Sequence, residues 1–172
     1  MKKKPLIAVI LSALFLTGCV NQSGEQNVNN SVKEKRIVAT SVATCEILDR
    51  LEWDNVVGVP KTDSYSIPKR YEKAKSVGSP MAPDMEIVKS LKPDIVLSPN
   101  SLEGELKSQY ENIGVESYFL DLKSTEGMYE SILILGKMLG KEAKAEELYK
   151  EFKDSYFNAS NQGDELPIMY IQ

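Results

Sequence analysis

Val77-Gly78-Ser79-Pro80-Met81-Ala82-Pro83-Asp84-Met85-Glu86-Ile87-Val88-Lys89-Ser90-Leu91-Lys92-Pro93-Asp94-Ile95-Val96-Leu97 passes in one stretch from a stiff loop to a helix, a proline turn and an apolar strand. Proline fixes φ and keeps the residue before it out of the helical well, so Pro80 and Pro83 hold Met81 on a non-helical loop. Asp84 and Glu86 then fall where a helix begins, and negative charge suits its orphan N–H groups and dipole. Met85, Val88 and Leu91 keep the spacing of one buried helical face. Lys92-Pro93-Asp94 stops that helix and turns the chain into the strand Ile95-Val96-Leu97. Helix, tight turn and short apolar strand in succession are the repeating step of an α/β sheet.

The same rhythm extends in both directions. Upstream, Ile37-Val38-Ala39-Thr40 reads as a strand, and Ser41 caps a helix with Val42, Cys45, Leu48 and Leu51 on one face. Val56-Val57-Gly58-Val59 is a second strand, ended by Pro60. A polar loop from Lys61 to Ala74 follows, in which Tyr65 and Tyr71 stand among Lys61, Lys69 and Arg70. Aromatic rings among cations suit an aromatic, carboxylate-bearing ligand, and a solvated loop has the same composition. Downstream, Leu102 to Tyr110 reads as a helix and Val115 to Leu120 as a strand. The expected fold class is α/β, a parallel, doubly wound sheet forming one lobe over residues 36–122. Residues 123–160 read as one long connecting helix with a kink near Gly140, followed by a polar turn at Asn158 to Glu165. Residues 161–172 read as the opening of a second lobe, most of which is missing from this sequence, because Leu166 to Gln172 is a lone strand without partners.

Composition narrows the chemistry. The 172 residues carry a net charge of −4 and no histidine. Nothing here favours nucleic acid, and the commonest catalytic base and metal ligand is absent. With no Gly-x-Ser-x-Gly elbow and carboxylates scattered over helix faces, an enzyme is not expected. Cys45 reads as a buried helix-face thiol.

Met81 is open to three readings: a filler of core gaps, an apolar platform beneath a flat ligand, or a thioether donating to a soft metal or a haem iron. The strand-to-helix junction at Ser41, Val42, Ala43 and Thr44 carries backbone N–H groups suited to an anion. Glycine patterns of the P-loop or Rossmann kind are missing there.

Lys2, Lys3 and Lys4, the apolar run Leu6 to Leu16 and the ending Leu16-Thr17-Gly18-Cys19 read as an export signal over residues 1–18. The ending resembles the lipobox of bacterial lipoproteins, which implies cleavage before Cys19 and a lipid on its sulfur. Residues 19–35, rich in Asn, Gln and Ser, then form a flexible tether from a membrane surface.

With these residues in view, the chain from Arg36 onward resembles the substrate-binding lipoproteins of metal-chelate ABC importers. The resemblance rests on Arg36-Ile37-Val38-Ala39-Thr40 together with the stretch Glu86 to Val96. Ser41 to Asp49, Val57-Gly58-Val59-Pro60, Pro68-Lys69-Arg70-Tyr71 and Val77 to Met81 are similar to the haem-binding lipoproteins of iron-regulated surface determinant importers. The resemblance implies two lobes joined by a helix, haem as transported ligand, and Met81 as an axial ligand to its iron, opposed by a histidine from the second lobe that this sequence lacks. It implies propionate contacts at Ser41, Val42, Ala43 and Thr44, with Lys61, Ser64 and Tyr65 as further contacts. Glu86 matches the glutamate with which family members dock on permease arginines, and it also suits the first turn of its own helix. The implied partners are an ABC permease with its ATPase, haem-donating surface proteins, and the cell membrane on its extracytoplasmic face, in a Gram-positive type of bacterium. A ferric siderophore or a cobalamin is the alternative ligand.

Overall fold

The computed structural model describes residues 34–162, with side chains to Ser155. The export signal, Cys19, the tether up to residue 33 and the final strand read at 166–172 lie outside the described residues.

The chain alternates strands and helices: β1 (Ile37–Ala39), α1 (Val42–Arg50), β2 (Val56–Val59), β3 (Lys75–Ser76), β4 (Gly78–Ser79), β5 (Ala82–Pro83), α2 (Met85–Ser90), β6 (Ile95–Pro99), α3 (Glu103–Asn112), β7 (Ser117–Leu120), α4 (Thr125–Leu139) and α5 (Glu142–Gln162). Five strands form one sheet in the order β3-β2-β1-β6-β7, and β4 pairs with β5 as a separate hairpin. Every pairing in the five-stranded sheet is parallel, with Ile37 opposite both Val56 and Ile95. From β1 the chain moves outward through β2 to β3, then crosses back to β6 and β7 on the other side. The order therefore reverses between β1 and β6, which leaves a crevice beyond their carboxyl ends.

Period-two alternation divides the core between the two faces of the sheet. Ile37, Ala39, Ile95 and Leu97 join Cys45, Leu48, Ile132 and Leu135 in one buried cluster, which α1, α4 and α5 cover. Val38 and Val96 point the other way, to Val88, Leu106 and Tyr110. Burying strands on both faces is what makes them near-continuous apolar runs in the sequence. β3 escapes that signature because Lys75 and Ser76 are polar and exposed at the sheet edge.

Three expectations change. The long helix read across residues 123–160 is two helices, since Gly140 takes a left-handed φ of 66° and ends α4. The N–H groups of Gly140 and Lys141 both donate to the Gly136 carbonyl, closing that end. Contact between the two helices is intimate, and the rings of Tyr129 and Tyr149 meet edge to face with centroids 5.1 Å apart. The polar turn expected from Asn158 is, as far as Gln162, still part of α5. The folded region also starts earlier than Arg36, because the Trp53 indole donates to the Lys35 carbonyl at 3.1 Å and the Asn55 amide to that of Glu34 at 2.9 Å.

Candidate functional site

The loop around Met81 is the tip of a two-residue hairpin. Gly78 lies opposite Pro83 and Ser79 opposite Ala82, leaving Pro80 and Met81 as the turn. Gly78 has a φ of 95°, and a Cβ there would meet the Ala82 carbonyl oxygen at 3.3 Å, so the hairpin needs glycine at its base. Backbone bonds stitch the hairpin to its surroundings: the Lys61 N–H donates to the Gly78 carbonyl at 2.8 Å, and the Asp84 N–H to that of Val77 at 2.7 Å. Asp84 caps α2 by accepting from the N–H groups of Glu86 and Ile87, both at 3.0 Å. Held in this way, Met81 is 74% exposed, while Met85 packs half-buried against the Val38 cluster. The reading of Met81 as core filler is therefore discarded.

Met81 stands on the wall of a groove of about 510 Å³ at the carboxyl edge of the sheet. That volume lies in the range of small-molecule sites. Each wall follows a strand or turn end: Ser41, Val42 and Ala43 after β1, Lys61 to Tyr65 after β2, Ser79 to Met81 from the hairpin, Pro99 at the end of β6 with Ser101 and Leu102 after it, and Leu122 after β7. The N-terminus of α1, with the orphan N–H groups that every helix start carries, opens here. Ser41 caps α1 by accepting from the Thr44 N–H at 3.2 Å. Lys61 supplies a cation, and the Asp63 carboxylate stands two residues along the same wall. Tyr65 is held by its N–H donating to the Thr62 hydroxyl at 3.1 Å, and the residue is 40% exposed.

Beneath the groove a buried chain of hydroxyls ties the two central strands together. Thr40 and Ser98 share a bond of 2.8 Å, and Ser98 and Tyr110 one of 3.1 Å. Burial raises the Tyr110 phenol above its usual range, so the chain stays neutral.

Seven residues singled out in the sequence thus converge: Ser41, Val42, Ala43, Lys61, Ser64, Tyr65 and Met81. Thr44 is the exception. It is fully buried, with its N–H and its hydroxyl both bonded to the Ser41 hydroxyl, the latter at 2.8 Å, so it serves the cap and not the groove. Arg70 and Tyr71 also leave the ligand reading. The guanidinium lies between Asp49, at 2.7 Å, and Asp54, while the phenol is buried and donates to the Trp53 carbonyl at 2.7 Å. Glu86 is exposed on α2 and is not among the groove's lining residues. Pro99, Ser101, Leu102 and Leu122 were missed, and their place at or just beyond strand ends is the signal that finds them. Among the described residues no three or more His, Cys, Asp or Glu side chains are grouped to hold a metal ion, and no helix is long and apolar enough to cross a membrane. Cys45 is sealed in the core, and burial pushes its thiol up to about 12.

A parallel doubly wound lobe with a groove beyond its strand ends is a binding architecture, and the comparisons define its class: residues 37–168 match the periplasmic binding protein family, to which the chain belongs. The family comprises substrate-binding proteins of ABC transporters and is non-enzymatic. Among individual proteins, the high-affinity heme uptake system protein IsdE of Staphylococcus aureus is 37% identical over 145 residues, which cover 84% of this chain and 48% of IsdE. The chain thus spans about half the length of the curated relatives it matches. The crystal structure of S. aureus IsdE complexed with heme aligns with a TM-score of 0.70 at 36% identity, over 75% of this chain and 49% of that one. An ABC transporter substrate-binding protein from Listeria monocytogenes EGD-e aligns with a TM-score of 0.69 at 41% identity, over 76% of this chain and 51% of that one.

Proposed function

We propose that this chain is the first lobe of a haem receptor, a tethered lipoprotein that captures haem outside the cell membrane and passes it to an ABC permease. The observation that carries the reading is the exposed thioether of Met81 on the wall of a groove that sets apolar side chains such as Val42, Leu102 and Leu122 beside the hydroxyls of Ser41, Ser64 and Tyr65 and the Lys61 cation. A porphyrin combines a wide apolar plate, a metal that accepts axial sulfur and two carboxylates, and each finds a complement here. Met81 supplies the axial ligand. Ser41, Val42 and Ala43 at the start of α1 receive the propionates, aided by Lys61, Ser64 and Tyr65. The similarity to IsdE, whose structure is described as complexed with heme, supports the same ligand.

The lipid on Cys19 anchors the protein at the extracytoplasmic face, Glu86 docks on the permease, whose ATPase drives uptake, and surface proteins donate the haem. In mechanism the lobe binds and orients. The hairpin would present the Met81 sulfur to the iron, the start of α1 would receive the carboxylates, and no bond of the porphyrin would change.

Titration of the full chain with hemin, followed by absorbance, tests this. A saturable shift of the haem band, altered in position by Met81→Ala, is the expected result. A shift and affinity identical in Met81→Ala would remove the residue from the site and point to a ligand that brings its own complete coordination, a ferric siderophore or a cobalamin.

A further inference from the structure

We propose that Met81 is also a peroxide-sensitive modification site, and that conversion of its thioether to the sulfoxide weakens the binding of iron porphyrin in the groove. The proposal rests on the haem reading given above. Sulfoxidation needs a sulfur that a small polar oxidant can reach. Met81 is 74% exposed, whereas Met128 is 9% exposed and Met85 and Met138 are half-buried. The other described sulfur, on Cys45, is fully buried. The hairpin also holds the Met81 backbone at its turn, because β4 and β5 pair on either side of it and the Lys61 N–H bonds to its base.

In the reaction a sulfur lone pair attacks one oxygen of hydrogen peroxide and forms the S–O bond. The O–O bond breaks, the departing hydroxide takes up the remaining proton as water, and sulfur loses the two electrons that the peroxide gains. The product is polar where the thioether was apolar, and it presents a hard oxygen in place of a soft sulfur donor. Ligand and oxidant therefore contend for the same lone pair, so an occupied groove protects Met81, and an oxidised Met81 has lost both the thioether donor and the apolar contact that it offered the porphyrin.

The test treats the full chain with hydrogen peroxide, removes the excess with catalase, and then reads peptide masses and hemin titrations. Fragmentation of the peptide that holds both Met81 and Met85 is expected to place one oxygen on Met81 before the peptide containing Met128 gains one, and more slowly when hemin is bound first. Hemin affinity should fall by about tenfold or more and return after methionine sulfoxide reductase. Met81→Leu should show no further loss on peroxide treatment. Unchanged affinity and spectrum with Met81 oxidised, or an equal peroxide effect in Met81→Leu, would overturn the proposal. An untreated chain that gives no hemin shift would instead refute the haem reading itself and this proposal with it.

Discussion

Gly136 is where one methyl group decides how α4 and α5 meet. A Cβ built at this position would lie 2.3 Å from the Cβ of Ala145, about 1.1 Å inside ordinary van der Waals contact, with the Lys141 carbonyl oxygen another 3.3 Å away. Gly136→Ala therefore sets two effects against each other. Alanine improves helix propensity by about 1 kcal/mol, while overpacking a tight core costs about 1–3 kcal/mol. Both Gly136 and Ala145 are buried beside Leu135, Leu139 and Leu148, and backbone closes the way out, so the upper part of that range applies. The expected net loss is about 2 kcal/mol. Ala145→Gly alone should cost at least about 1 kcal/mol, from the helix penalty of glycine and a lost buried methyl. The double variant restores one methyl to the same gap and exchanges one propensity change for the other, so its stability should return to within about 1 kcal/mol of the parent, far from additive. Urea denaturation of the full chain, followed by far-UV circular dichroism, reads all four proteins. A Gly136→Ala chain more stable than the parent, or a double variant that shows the simple sum of the two losses, would refute the close approach.

Removing the α2 cap with Asp84→Ala should cost about 1 kcal/mol, because the Glu86 and Ile87 N–H groups lose their acceptor; exchange of those two amides should rise with it. Tyr71→Phe leaves the buried Trp53 carbonyl without its donor, and a loss of about 1–2 kcal/mol is expected in the same denaturation. Cys45 should resist alkylation in the folded chain at neutral pH and react only under denaturant, as peptide mapping would show. Its thiol rises from 9.0 to about 12 in the fold, so the folded state holds its proton longer than the unfolded one. That stabilisation is complete below pH 9.0 and is lost as pH climbs towards about 12, at up to about 1.4 kcal/mol per pH unit. Substituting Cys45 by Ala should flatten this alkaline decline, although it also removes packing.

The elements were legible because their signals are local. The continuous apolar runs of Ile37 to Ala39 and Ile95 to Leu97, the cap at Ser41, and the three-residue spacing of Met85, Val88 and Leu91 each declare themselves within a few residues. Pro80 and Pro83 likewise announced a loop that holds Met81 outside any helix. The errors share a cause as well. Gly140 looked like a kink because the apolar spacing resumes beyond it, yet whether a glycine bends a helix or ends it depends on what the following segment packs against, here the small face of Gly136 and Ala145. Arg70 and Tyr71 looked available to a ligand because Asp49, Asp54 and Trp53 are distant from them in sequence. Thr44 was grouped with its neighbours at the junction, but one turn of helix carried it inward to bond with the Ser41 hydroxyl.

The sequence by itself determined the class of fold, the parallel sheet and the stiff presentation of Met81, since hydrophobic period, proline and capping residues act over a turn or a strand. Only the tertiary structure decided which distant segments share a site. A parallel sheet brings every carboxyl end to one edge, but the strand order β3-β2-β1-β6-β7 selects which ends become neighbours, and it places Ser41, Lys61, Met81, Ser101 and Leu122 around one groove. With right-handed crossovers that order follows from which face of the sheet each helix covers, α1 on one and α3 on the other, a packing of distant segments that no local pattern contains.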